Sequence, residues 1–186
     1  SLLVGSEGTL AVITEISLKL IAKPKFSYLV LLSSDTHKQS LDLLLQIQQV
    51  GIQPASCELF DAFCYDAAKR FNKNDALQLS GNSFLLIELD GFDETSVLGQ
   101  VNVIKSLTKK YSSTFLFEKE SKKQAEWWTF RRSMSEALSS VSITKRSEDI
   151  VVPIKKLASF LEFLNGLSQE KEIRILGYGH AGDGNV

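Results

Sequence analysis

The chain has 186 residues, 44% hydrophobic and 23% charged, and its 21 Lys and Arg against 22 Asp and Glu leave a formal charge of −1. That is the size of about one domain, large enough to bury about 70% of its unfolded surface and hold a core without staples. The balanced charge leaves no electrostatic footprint for nucleic acid or an acidic membrane, and no apolar run reaches the roughly 18 residues of a membrane span, so no nucleic-acid partner and no transmembrane segment are expected.

Residues 10–21, LAVITEISLKLI, mostly alternate apolar and polar and carry β-branched side chains, which predicts a half-buried strand broken at Lys23-Pro24. FSYLVLLSS (26–34) predicts a second strand. Asp35 or Thr36 can cap a following helix with apolar Leu41, Leu44, Leu45 and Ile47, and Gly51 ends it. PASCELF (54–60) predicts a strand and 61–71 a short helix opened by Asp61. Cys57 and Cys64 fall in this stretch. Two thiols make no disulfide framework and no zinc pattern, so they read as reduced, buried packing residues of a cytosolic protein. NSFLLIELDG (82–91) is a buried strand closed by Asp90-Gly91, and 93–110 a helix built on Val97, Val101, Ile104 and Leu107. STFLFEK (113–119) predicts a strand and 121–140 one helix carrying Trp127, Trp128, Phe130 and Leu138. EDIVVP (148–153) predicts a strand, 154–168 an amphipathic helix ending near Gly166, and EIRIL (172–176) the last strand.

This alternation fits two split β-α-β units, that is, an α+β ferredoxin-like sandwich with a mostly antiparallel sheet and helices packed on one face. A doubly wound parallel sheet is the competing architecture.

Three stretches carry candidate chemistry. GYGHAGDGNV (177–186) contains the spacing Gly-x-Gly-x-x-Gly after a predicted strand. A dinucleotide site needs a helix opening at the third glycine, and Asp183, Gly184 and Asn185 favour a turn instead. An EF-hand start at Asp183 fails because Gly184 stands where a ligand spacer belongs. His180 is then a metal ligand, a proton-handling residue, or a surface histidine in a tight turn, with Asp183 orienting it or shaping the loop. In VGSEGTL (4–10), two glycines three apart with Ser6 and Thr9 suit either backbone approach to a phosphate or flavin ring, or a plain turn. In the third stretch Arg131 and Ser135, four apart, share a predicted helix face, and Lys145 can fold back towards it. A guanidinium fork, a hydroxyl and an ammonium suit a carboxylate-bearing ligand. The same cations also suit solvation, or pairing with Glu136, Glu148 and Asp149.

Taken in order, GSEGTLAVITEISLKL resembles the closing segment of the FAD-binding domain of vanillyl-alcohol-oxidase-like flavoproteins, and GYGHAGDGNV resembles their Gly-His-x-Gly-Asp-Gly-Asn-x-His stretch. Between them IQPASCELFD, FLLIELDG, FRRSMSEAL and KRSEDIVVP are similar to the substrate (cap) domain of glycolate oxidase GlcD-type subunits and D-lactate dehydrogenases. The resemblance implies that residues 1–21 are the tail of an FAD-binding domain and 22–186 a cap domain. It implies a small 2-hydroxy acid oxidised by hydride transfer to FAD. By position, Gly5, Ser6, Gly8, Thr9 and Ile13 would border the flavin, and Arg131, Ser135 and Lys145 would bind substrate. His180 would be catalytic, as a ligand to a divalent metal such as zinc. It further implies partner oxidase subunits or another electron acceptor, and a cytoplasmic site, peripheral to the inner membrane if those subunits attach it there.

The chain departs from that pattern, because the second His, the later acidic ligand and most of the FAD domain fall outside it. One imidazole does not fill a site of three protein ligands. The chain by itself is therefore expected to be a truncated piece, inert and without flavin, with His180 on a frayed end and a cut surface that self-associates into an artificial dimer. The alternative from another class is a stand-alone ferredoxin-like module that binds small carboxylates.

Overall fold

The computed structural model describes residues 2–73, 79–111, 114–142 and 144–186. Among them, no helix is long and apolar enough to cross a membrane. The elements in chain order are β1 (Phe26–Ser34), α1 (His37–Gln49), β2 (Ser56–Asp61), α2 (Ala62–Asn72), β3 (Ser83–Gly91), α3 (Glu94–Thr108), β4 (Thr114–Glu118), α4 (Ser121–Arg132), α5 (Met134–Val141), α6 (Ile154–Glu170) and β5 (Gly179–His180). Ser113, the first residue of the expected strand 113–119, lies outside the described residues.

The sheet runs β4-β1-β3-β2-β5 with every pairing antiparallel. Both β1 and β2 pair antiparallel with β3 between them, so β1-α1-β2 is a split β-α-β unit, and β3-α3-β4 is the second. Among the described residues the competing parallel sheet is not formed. Helix starts follow local chemistry. Thr36 and Gln39 make a reciprocal capping box on α1, Asp61 Oδ1 accepts from Cys64 N at 2.7 Å on α2, and Asp93 Oδ2 accepts from Ser96 N at 2.7 Å on α3.

Strand alternation divides the core in two. Tyr28, Val30, Leu32, Leu59, Leu85 and Ile87 point to one face and pack with α1, α3 and α6. Leu29, Leu31, Phe60, Phe84 and Leu86 point to the other and pack with α2, α4 and α5. Helices thus cover both faces rather than the single face expected. The second layer is anchored by aromatic stacking of Phe60 on Phe84 (5.4 Å) and of Tyr65 on Phe84 (4.7 Å). Both cysteines are buried and free, and burial pushes their thiols up in pKa.

Three expected strands are corrected. Residues 10–21 form no strand, and Leu10, Val12, Ile16, Leu18 and Leu20 are all exposed. Their alternation describes a surface that pairs with no other segment described. Residues 172–176 form no strand either; the pairing begins only at Gly179. Of 148–153, only Val151 makes a bridge, to Asn185. The expected helix 121–140 is broken at Ser133, whose Oγ donates to Phe130 O at 2.8 Å and accepts from Asn72 Nδ2 at 2.7 Å. Gly166 does not end α6 but lies inside it.

At the start of α1, His37 Nδ1 lies 2.9 Å from the Oγ of the buried Ser83. Burial, against the opposing pull of Asp61, holds the His37 pKa below its ordinary 6.5. Above that ordinary value both folded and unfolded chains are neutral at His37. Below it, the unfolded chain takes up a proton first, so stability is lost as pH falls through the lowered folded value. Denaturant midpoints taken near pH 7.5 and near pH 5 should drop more for the wild-type chain than for His37→Gln. An equal drop would contradict this account.

Candidate functional site

The site grows from one carboxylate. Glu58 lies in the middle of β2 on the same face as Phe60, with only 4% of its side chain exposed. A buried carboxylate requires charge and hydrogen-bond partners, and Glu58 has three. Oε2 accepts from Arg131 Nη2 at 2.7 Å, and Oε1 accepts from Ser56 Oγ at 3.0 Å. His180 Nδ1 lies 2.7 Å from Oε1.

Each partner is delivered by a local rule. His180 is the direct cross-strand neighbour of Glu58 in the β2–β5 pairing, so both side chains leave the same face of the sheet. Arg131 comes from the last turn of α4, where a cation is favoured by the helix dipole. Its helix is seated by the buried Trp127 and Phe130. The guanidinium also lies over the ring of Tyr178, 5.5 Å from its centre. Arg131 Nε is buried without a hydrogen-bond partner among the described residues.

The terminal glycines shape the loop that carries His180. A Cβ at Gly179 would meet the Asn185 carbonyl oxygen at 2.3 Å, and Gly184 adopts φ +82° with its would-be Cβ 2.0 Å from the Val152 carbonyl oxygen. The backbone closes at once: His180 N donates to Asn185 O at 2.6 Å, and Gly184 N and Asn185 N both donate to His180 O at 3.1 Å. Asp183 Oδ1 accepts from Asn185 N at 3.1 Å. Residues 150–152 then clamp the loop, with Ile150 and Val186 exchanging both backbone hydrogen bonds and Val152 N donating to Gly184 O at 2.9 Å. No helix opens at Gly182, so the dinucleotide reading lacks its central element. His180 is in a strand and doubly bridged, not on a frayed end. Its imidazole is oriented by Glu58, while Asp183 shapes the loop.

The sequence-derived residues fall into three groups. Arg131 and His180 meet at Glu58, so the partner of Arg131 is neither solvent nor Glu136, Glu148 or Asp149. Lys145 folds back onto Ser135, with Nζ donating to Oγ at 2.7 Å and to the carbonyl oxygen at 3.0 Å. The break at Ser133 puts Ser135 on α5 and Arg131 on α4, so they do not share one helix face. The N-terminal stretch forms a turn, with Gly5 and Gly8 at positive φ and Thr9 N and Oγ1 both donating to Ser6 O. Ser6, Gly8 and Ile13 line a shallow hollow with Leu3 and Ala11.

Over residues 23–186 the chain matches the family described as FAD linked oxidases, C-terminal domain. The chain belongs to that family. It is 32% identical to glycolate oxidase subunit GlcD of Bacillus subtilis, over all of this chain and 39% of that protein. It is 26% identical to a D-lactate dehydrogenase of Anaerostipes hadrus (all of this chain, 40% of that protein) and 28% to GlcD of Escherichia coli K12 (all of this chain, 37% of that protein). The chain thus spans about two fifths of the length of the curated relatives it matches. Among solved structures, alkyldihydroxyacetonephosphate synthase superposes with a TM-score of 0.61 over 90% of this chain and 36% of that one, at 16% identity, a likeness of fold alone.

For a member of the FAD-linked oxidase C-terminal family, the donor set can be tested against a divalent metal. No group of three or more His, Cys, Asp or Glu that could hold one exists among the described residues. Glu58, the carboxylate nearest His180, is already engaged by Arg131 and Ser56. The residues present therefore do not make a zinc site.

Glu58 is the residue that sequence reasoning missed. PASCELF predicts a strand and IQPASCELFD carries part of the cap-domain resemblance, and neither singles out Glu58. The available signal was the alternation of that strand: Glu58 shares a face with Phe60, and a face that buries Phe60 obliges the neighbouring carboxylate to find a cation.

Proposed function

We propose that this chain is the substrate-binding part of an FAD-dependent oxidase or dehydrogenase acting on small 2-hydroxy acids of the glycolate or D-lactate kind, with residues 1–21 ending the flavin domain and 22–186 forming the cap. The observation that carries the reading is the meeting of Arg131 and His180 on one buried carboxylate, in a chain whose relatives are named glycolate oxidase subunits and D-lactate dehydrogenases.

The chemistry assigns each side chain a task. Arg131 offers its remaining guanidinium N–H groups to the substrate carboxylate, while Lys145 and Ser135, which form a separate pair, are assigned to the substrate by the family resemblance alone. His180, with Nδ1 turned towards Glu58, presents Nε2 outward as acceptor for the hydroxyl proton of the substrate. FAD, when bound, supplies the two-electron acceptor. Gly5, Ser6, Gly8, Thr9 and Ile13 are the residues of this chain assigned to its border. We extend the reading to a cytoplasmic protein working with partner oxidase subunits, because the GlcD relatives are named as subunits. This chain alone is expected to show no turnover.

The test is spectroscopic. The full-length flavoprotein containing this segment should purify with a flavin absorption spectrum that bleaches under anaerobic addition of glycolate or D-lactate. A colourless full-length product, or a bound flavin reduced by neither acid, would overturn the reading.

A further inference from the structure

We propose that Glu58 is the positioning residue of this site, holding the Arg131 fork in place and fixing His180 as the Nδ1–H tautomer so that the lone pair of Nε2 faces outward. The kinetic part of the proposal rests on the function proposed above; the structural part does not.

The argument starts from the environment of Glu58. It stands among buried Cys57, Leu59 and Phe60, where an apolar residue would pack without a desolvation cost. Buried ion pairs are often no more stabilising than apolar replacements of equal volume, so stability alone is a weak reason for a carboxylate here. Its contacts supply a better one. A carboxylate paired with a guanidinium only accepts hydrogen bonds. The 2.7 Å contact from His180 therefore places the ring proton on Nδ1. The same contact turns Nε2 to the opposite edge of a side chain that is 61% exposed. Ser56 Oγ, donating to the same Oε1, fixes the rotation of the carboxylate. On the other oxygen, Glu58 accepts from the guanidinium, which also lies over the ring of Tyr178, so two contacts hold Arg131 in place. One residue thereby orients both the anion-binding group and the proton acceptor. Its negative charge also tempers the attraction of Arg131 for an incoming anion.

These roles make opposite demands on substitution. In Glu58→Gln the amide oxygen can still accept from Arg131, but its amino group is a donor facing Nδ1. That favours the other tautomer, with the proton on Nε2, where it blocks proton acceptance. Loss of the negative charge meanwhile leaves Arg131 more attractive to a carboxylate. The full-length Glu58→Gln enzyme should show kcat lower by about 10–100-fold, with KM unchanged or lower. A purely structural role would leave kcat per folded molecule intact, and a direct substrate contact would raise KM.

The second arm needs no turnover. The chain has two histidines, so His37→Gln leaves His180 as the only imidazole. In 15N-labelled protein, the ring-nitrogen shifts of the neutral imidazole should report a protonated Nδ1 and an unprotonated Nε2. Glu58→Gln in that background should move the population towards Nε2–H. A protonated Nε2 before Glu58 is touched, or a tautomer unaltered by Glu58→Gln, would overturn the proposal, and the first of these needs no variant at Glu58 to fold. Failure of the full-length protein to reduce flavin would count against the functional reading, while the imidazole spectrum alone decides the positioning role.

Discussion

Arg131→Ala should lower the unfolding free energy of this chain by about 3–5 kcal/mol, the range for breaking a buried ion pair from one side. The side chains of Arg131 and Glu58 are only 11% and 4% exposed, so water does not replace the lost guanidinium. Removing Arg131 strands a carboxylate among the buried Cys57, Leu59 and Phe60, and the Ser56 hydroxyl beside it brings no charge to balance it. The double substitution Arg131→Met with Glu58→Gln should cost clearly less than the single one, because nothing charged is left buried. Urea midpoints with their slopes give both values. A single-variant loss under about 1 kcal/mol, as for surface pairs, would mean that the pair is exposed to water. The consequence for enzymology is direct: Arg131→Ala would confound any loss of the proposed substrate binding with lost folding, so a charge-preserving change is the proper probe.

The second large effect lies in the terminal loop. Gly184→Ala should destabilise the chain by on the order of 3 kcal/mol, combining about 1–2 kcal/mol for the left-handed conformation with about 1 kcal/mol for each backbone hydrogen bond disturbed. At φ +82° a Cβ would lie 2.0 Å from the Val152 carbonyl oxygen, which is backbone and has no rotamer to escape into. Relief requires parting Val152 from Gly184 and opening the bonds of Gly184 and Asn185 to His180 O. Amide exchange at His180 should therefore accelerate far more than in the β1–β3 centre. Gly166→Ala is the control. It sits inside α6 with open space at the Cβ position, and should stabilise by about 0.5–1 kcal/mol. Equal effects at the two glycines would mean that the loop is not held as described.

Strands whose pattern is satisfied within the chain were legible. FSYLVLLSS and SFLLIELDG are buried on both faces and pair along their whole length, so a continuous apolar run sufficed. The starts of α1 and α2 were legible because Thr36 and Asp61 act on amides three residues away; Asp93 caps α3 by the same rule, although the pattern of 93–110 as a helix does not single it out. The second helical layer was not. α2 buries only one large side chain, Tyr65, beside the small Cys64, Ala67 and Ala68, and α4 buries Trp127 and Phe130 among charged neighbours. Neither helix announces a partner surface. Residues 10–21 have a strand's alternation but no mate, and pairing is a property of two segments. In the site, Arg131 and His180 were legible by motif, whereas Glu58 was not. Its importance comes from a register that aligns it with His180 across 122 residues of chain.

The central claim is that Arg131 binds the carboxylate of a small hydroxy acid beside His180. Rapid anaerobic mixing of the full-length flavoprotein with glycolate and D-lactate tests it most directly, comparing wild type with Arg131→Lys. The charge is kept in the variant, so Glu58 retains a partner, but the fork is lost. The account predicts an intact flavin spectrum and a half-saturating acid concentration raised by about tenfold to a hundredfold, as expected for about 1.5–3 kcal/mol of charge-assisted hydrogen bonding. A flavin-replete variant with the wild-type concentration dependence would contradict it.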